Sequence, residues 1–165
     1  GILYGQGPFG LSKQLGISMR DAASFIKTYF ERYPKVSEYL EKCREEARKT
    51  GKTTTLIGRQ RPIPEIHNKN PMIRAGAERL AINTPLQGTA ADLIKMAMVA
   101  IDKEIEERQL QGKMILQIHD ELIFEVPDEE VAIFKELVKE KMEGVLNLLV
   151  PIEVHIAVGK NWAEC

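Results

Sequence analysis

The chain has 165 residues, a formal net charge of −1, a hydrophobic fraction of 44% and a charged fraction of 28%, values expected of a soluble globular protein. That length suits one domain with a sizeable core, or parts of two subdomains. No apolar run reaches the roughly 18 residues of a membrane span, and the opening GILYGQGPFG lacks the basic-then-apolar order of a secretory signal. The two cysteines, Cys43 and Cys165, lie far apart and read as free thiols in a reducing compartment, the cytoplasm.

The chain starts at a glycine in mid-pattern, which suggests a piece of a longer protein. Gly5, Gly7, Pro8 and Gly10 break up the first stretch, which reads as a loop. Ser18 is a suitable N-cap for a helix from about Met19 to Arg32, with Ala22, Phe25, Ile26 and Tyr29 as its apolar stripe. Tyr33-Pro34 ends it. A second helix is expected from about Lys35 to Lys49, burying Val36, Leu40, Cys43 and Ala47, with Gly51 as its stop.

TTTLIG, residues 53–58, reads as a short strand, and RPIP, residues 61–64, pairs back with it irregularly. Arg44, Arg48, Lys49, Lys52, Arg59 and Arg61 face only Glu45 and Glu46 across this region, leaving +4. Such a patch on a near-neutral protein suits a polyanion; partnerless surface cations are the alternative.

The longest helical pattern spans about Pro71 to Arg108, with Pro85 expected to kink or interrupt it. Within it Arg79, Asn83 and Gln87 recur every fourth residue. Each such step turns about 40° and rises about 6 Å, so the three form one polar stripe. That stripe could reach a nucleic-acid groove or sugar edge, or be an ordinary solvated face. The small run Gly88-Thr89-Ala90-Ala91 lets another element approach closely.

MILQI, residues 114–118, and LIFEV, residues 122–126, read as strands flanking His119, Asp120 and Glu121. Alternation places Gln117 and His119 on the face opposite Leu116 and Ile118. Adjacent carboxylates repel unless a cation compensates them, and Mg²⁺ is commonly held by one or two carboxylates plus substrate phosphates. A solvated acidic turn is the alternative. An amphipathic helix over 128–147 and an alternating strand over 150–158 complete the chain. The expected class is α+β: a small, three-stranded antiparallel sheet and an outlying hairpin packed against long helices. No serine-nucleophile elbow, zinc-ligand spacing or phosphate-binding P-loop is present.

Five segments, in order, resemble the C-terminal part of family A DNA polymerases: GILYG, TLIGRQRPIPEI, AERLAINTPLQGTAADLIK, QIHDELIFEVP and GKNW. The resemblance implies partial fingers with a short β-hairpin over residues 1–68 and the C-terminal part of the palm over 69–165. It implies template-directed addition of deoxynucleotides to a primer 3′ end, in DNA replication or repair, with two Mg²⁺ ions in the complete enzyme. Asp120 would be one of two metal-binding aspartates, Glu121 would assist near the metals, and His119 would face the primer end. Arg79, Asn83, Gln87 and Gln117, and more loosely Arg59 and Arg61, would contact the template-primer duplex. Tyr4 would border the nascent base pair. The family's other catalytic aspartate and its nucleotide-binding helix have no counterpart in these residues, so the isolated chain is expected to be inactive, and it could self-associate. A non-catalytic nucleic-acid-binding module and a Mg²⁺-dependent phosphohydrolase are the competing readings.

Overall fold

The computed structural model describes all 165 residues. The chain divides into two compact units, Gly1–Thr89 and Ala90–Cys165. The class is α+β: helices carry most of the chain, and four short strands form two separate antiparallel pairs.

In the first unit, the opening stretch is more ordered than its glycines suggest. Ile2–Tyr4 form a 3₁₀ turn, and Pro8–Leu15 form helix α1. Pro8 stands at the helix start, where a missing N–H costs nothing. Gly16, at φ +67°, ends it in the left-handed conformation. Helix α2, Met19–Arg32, has the expected bounds. Ser18 Oγ accepts from the Asp21 N–H and caps it. Its expected stripe is only partly buried, however. Ala22 is fully enclosed, whereas Phe25 is 55% exposed.

Helix α3, Pro34–Thr50, ends at Gly51 as predicted. Leu40, Cys43 and Ala47 are buried. Leu40 and Cys43 pack with Ile82, Phe30 and Val36, and Ala47 packs with Ile63, Ile66, Ala77 and Ala81. Strand β1 is only Lys52–Thr54, and β2 is Gln60–Pro62. The predicted strand stops early because the chain already turns at Thr55, whose N–H bonds Arg59 O, and Gly58 takes φ +94°.

Helix α4, Pro71–Glu107, runs through Pro85 without a break in the helical assignment. Its later residues belong to the second unit. There Ile101 joins Phe134 and Val138 in a core that also gathers Ile105, Leu110, Met114, Leu122, Phe124 and Val126. Strands β3, Lys113–Ile118, and β4, Glu121–Glu125, form the hairpin. Gly112 lies so close to the Phe134 ring that an added Cβ would stand 2.4 Å from its Cζ. The Glu130 carboxylate accepts the N–H groups of Gln111 and Gly112, each at 3.0 Å, and ties down the entry to β3.

Helix α5 is shorter than predicted, Val131–Glu143, preceded by a 3₁₀ turn at Asp128–Glu130 and ended by Gly144, a residue that propagates a helix poorly. The expected third strand over 150–158 does not form. Alternation describes which way side chains face, but a strand also needs a partner edge. Here the Val154 N–H is taken instead by the Glu143 carboxylate at 3.1 Å. At the end, Asn161 Oδ1 caps a 3₁₀ turn, Trp162–Glu164.

Candidate nucleic-acid interface and acidic turn

In the first unit, the stretch of α4 from Arg79 to Thr89 collects the segments that carry the predicted contact residues. Its proline is the organising feature. A helical residue 85 would give its N–H to the carbonyl of residue 81, and proline has none. The Thr53 hydroxyl, buried on β1, donates to Ala81 O at 3.1 Å in its place. Four residues further along, the Thr89 hydroxyl donates to Pro85 O and accepts the Leu56 N–H at 2.9 Å. Gly88 leaves room for this approach: a Cβ there would stand 2.6 Å from Thr55 Cγ2. The small-residue run is therefore where the β1–β2 hairpin docks.

The docked hairpin carries Arg59 and Arg61. Arg61 is paired with Thr53 in the strand register, and its guanidinium lies 3.4 Å from Thr84 Oγ1 on α4. On the N-terminal side, Gly5 at φ +80° abuts α4, with an added Cβ 3.0 Å from Arg79 Cγ and 3.1 Å from Ile82 Cδ1. The Tyr4–Gly5 turn thus stands beside Arg79. Along the predicted stripe, Arg79 and Gln87 are exposed, and Asn83 is half-buried. Asn83 Oδ1 is enclosed and has no hydrogen-bond partner within the chain.

The +4 patch is smaller than sequence counting suggests. Arg44 and Arg48 both pair with Glu41, at 2.9 and 3.0 Å, and Arg48 also pairs with Glu78 at 2.8 Å. These acids lie outside the counted window and reach it only through helical spacing and packing. The two guanidinium groups hold the Glu41 carboxyl below its ordinary pKa.

In the second unit, the acidic turn differs in detail from expectation. Ile118 pairs with Glu121, so the two-residue connection is His119-Asp120, and Glu121 is the first residue of β4. His119 takes φ +52°, the left-handed conformation that a tight hairpin needs and glycine usually supplies. Gln117 Nε2 donates to His119 O at 2.8 Å and braces the turn.

Gln117, His119, Asp120 and Glu121 are all exposed. A bulge lies between Met114 and Leu116. It inserts one residue and shifts the pleat, putting Met114 opposite Phe124 in the core while Ile115 and Leu116 stay 56% and 46% exposed.

No group of three His, Cys, Asp or Glu side chains is assembled to hold a metal. The donors of the turn are two consecutive exposed carboxylates. That set fits a hard cation shared with substrate phosphates rather than a self-contained protein cage.

Residues that sequence reasoning did not single out include Thr53 and Thr84. Pro85 in a helical pattern signals that a donor for Ala81 O is needed, but not which one. Asp92 was also missed. This carboxylate of α4 is 1% exposed, with Lys95 Nζ 3.8 Å from its Oδ1.

Comparison with known proteins agrees with the resemblance. The family model for DNA polymerase family A matches residues 1–164. The chain is 48% identical over 164 residues to DNA polymerase I of Lactococcus lactis subsp. cremoris and, equally, to that of Bacillus subtilis. In both cases the match covers 99% of this chain and 19% of the relative. Among solved structures, the chain is similar to the POL domain of Pol1 from M. smegmatis, in complex with DNA primer-template and dNTP. The TM-score is 0.90 at 42% identity, covering 93% of this chain and 27% of that one. The chain thus spans about a fifth of the length of the curated relatives it matches.

Proposed function

The chain belongs to DNA polymerase family A, and from that premise we propose that it serves template-directed addition of deoxynucleotides to a primer 3′ end. The observation that carries this reading is the convergence on α4. The Tyr4–Gly5 turn, Arg61 and the Thr55–Leu56 turn all meet the stretch that presents Arg79, Asn83 and Gln87.

In this reading Arg79, Asn83 and Gln87 contact the template-primer duplex along one stripe, and Arg59 and Arg61 add charge from the hairpin. Gln117 contributes beside the acidic turn. Tyr4 borders the base pair being formed, and His119 faces the primer end. Asp120 and Glu121 would hold Mg²⁺, with Asp120 the principal ligand; the ion supplies charge stabilisation for the attacking and leaving oxygens of nucleotidyl transfer. Two such ions act in the complete site, with a second principal carboxylate supplied by residues outside this chain. Residues 1–68 form a partial fingers subdomain, and residues 69–165 the C-terminal part of the palm. The place of action is the bacterial cytoplasm, at the nucleoid; no helix of the chain is long and apolar enough to cross a membrane. Self-association through exposed apolar side chains such as Met72, Val99 and Leu149 belongs to the same reading, and sedimentation of the purified chain measures it.

Primer extension tests the proposal. In a polymerase that contains this chain, Asp120→Asn abolishes nucleotide addition with little loss of primer-template affinity, because a metal ligand is removed and the duplex contacts remain. Near-normal turnover would refute the role of Asp120. The isolated 165-residue chain gives no extension above background; measurable extension would refute the need for a second carboxylate.

A further inference from the structure

We propose that Thr53 is a positioning residue of the nucleic-acid interface. Its hydroxyl takes the carbonyl that Pro85 leaves without a helical donor, and so sets where Arg59 and Arg61 stand against the Asn83–Gln87 stretch of α4. The inference rests on the DNA-binding reading above.

Thr53 is 3% exposed and donates to Ala81 O at 3.1 Å. Were residue 85 anything but proline, its own N–H would claim that oxygen. The proline therefore turns a helical carbonyl into a docking point for a neighbouring element. Thr53 is also the residue directly opposite Arg61 in the strand pair. Opposed residues of an antiparallel pair share a face, which agrees with both reaching α4: Thr53 to Ala81 O, and Arg61 to Thr84 Oγ1 at 3.4 Å.

The hairpin contains only three residue pairs, too short a ladder to hold its register strongly. A slip of one residue would turn both side chains away from the helix. The Thr53–Ala81 bond marks the correct register at its centre. Thr89 fixes the other end of the docked segment, through Leu56 N–H and Pro85 O. Neither threonine needs to touch DNA. Thr53 acts through Arg61, by holding the strand that faces it.

The test is the affinity of the 165-residue chain for a fluorescently labelled primer-template, read by anisotropy. Arg61→Ala is the reporter of the DNA-binding reading itself. Thr53→Val keeps the shape and removes the hydroxyl, Thr53→Ser keeps the hydroxyl, and Pro85→Ala restores the helical N–H to Ala81 O. We expect Thr53→Val to weaken binding about fivefold, the effect of one hydrogen bond, and Thr53→Ser to stay within about twofold of the parent. In the Pro85→Ala background, where the carbonyl has its own donor, adding Thr53→Val should cost less than about twofold.

Three results would overturn the inference alone: equal losses for the serine and valine variants, equal losses in both backgrounds, or an effect of Arg61→Ala with none from Thr53→Val. If Thr53→Val fails to fold, Pro85→Ala should restore folding, and failure to do so also overturns it. No measurable binding by the parent chain, or no effect of Arg61→Ala, instead brings down the DNA-binding reading, and the inference with it.

Discussion

Gln117 Nε2 donates to the carbonyl of His119 at 2.8 Å, and so braces a histidine held at φ +52°. The bond joins the last polar position of β3 to the first residue of the turn. It gives a strained backbone a fixed partner on a hairpin otherwise only two strands wide. A left-handed conformation costs a non-glycine residue about 1 kcal/mol or more. His119 is thus kept where glycine would be more stable.

His119→Gly should therefore stabilise the fold by up to about 1 kcal/mol, read as a higher urea midpoint with an unchanged slope. In a polymerase carrying the substitution, nucleotide addition should fall, because the side chain assigned to the primer end is gone. A variant that is less stable than the parent would show that the histidine ring contributes packing not evident at this exposed turn.

Arg79→Ala should weaken primer-template binding about tenfold, the loss of a charged hydrogen bond of about 1.5 kcal/mol. Thermal stability should change little, since Arg79 is exposed. Anisotropy titration beside a melting curve separates the two effects. Unchanged affinity would remove Arg79 from the stripe.

Gly112→Ala should destabilise by about 1–3 kcal/mol, the range for overpacking a filled core. The added carbon would stand 2.4 Å from the Phe134 ring, which also packs edge-on to Phe124. The penalty should shrink in a Phe134→Leu background, because the two sites share one space. Urea unfolding of the four combinations measures this, and an undiminished penalty would place the strain in the backbone.

Acid should weaken helix α3 in a defined direction. Hydrogen bonds from Arg44 and then Arg48 lower the pKa of Glu41 from its ordinary 4.5. A depressed carboxylate stabilises the fold above its unfolded pKa and loses that contribution as pH falls through the folded value. The loss therefore belongs below pH 4.5. Glu41→Gln should flatten the stability profile in that range; a profile that keeps its acid slope would assign it to other carboxylates. At the alkaline end, burial and the neighbouring Cys43 push Tyr39 up to about 12 from 10.0. Tyr39→Phe should accordingly reduce the loss of stability above pH 10.

Local chemistry made much of this chain legible. Ser18 and Gly51 delimit helices because capping is decided within a few residues. The apolar spacing of α3 predicts its buried face, and five ordered motifs carry the family. The positions of Tyr4, Arg79, Asn83 and Gln87 in the chain follow from those motifs without reference to any fold.

Tertiary structure decided the rest. Whether residues 150–158 form a strand depends on a partner edge, which alternation does not encode. Whether Arg44 and Arg48 are available to a polyanion depends on Glu41 and Glu78, one of which lies on another helix. The bulge near Ile115 reversed the facing of Leu116 relative to Met114. In QIHDELIFEVP, local sequence places a histidine and two acids between two strands. Only the folded backbone decided that His119 and Asp120 make the turn while Glu121 begins β4, because register is set by pairing across strands and not by composition along one.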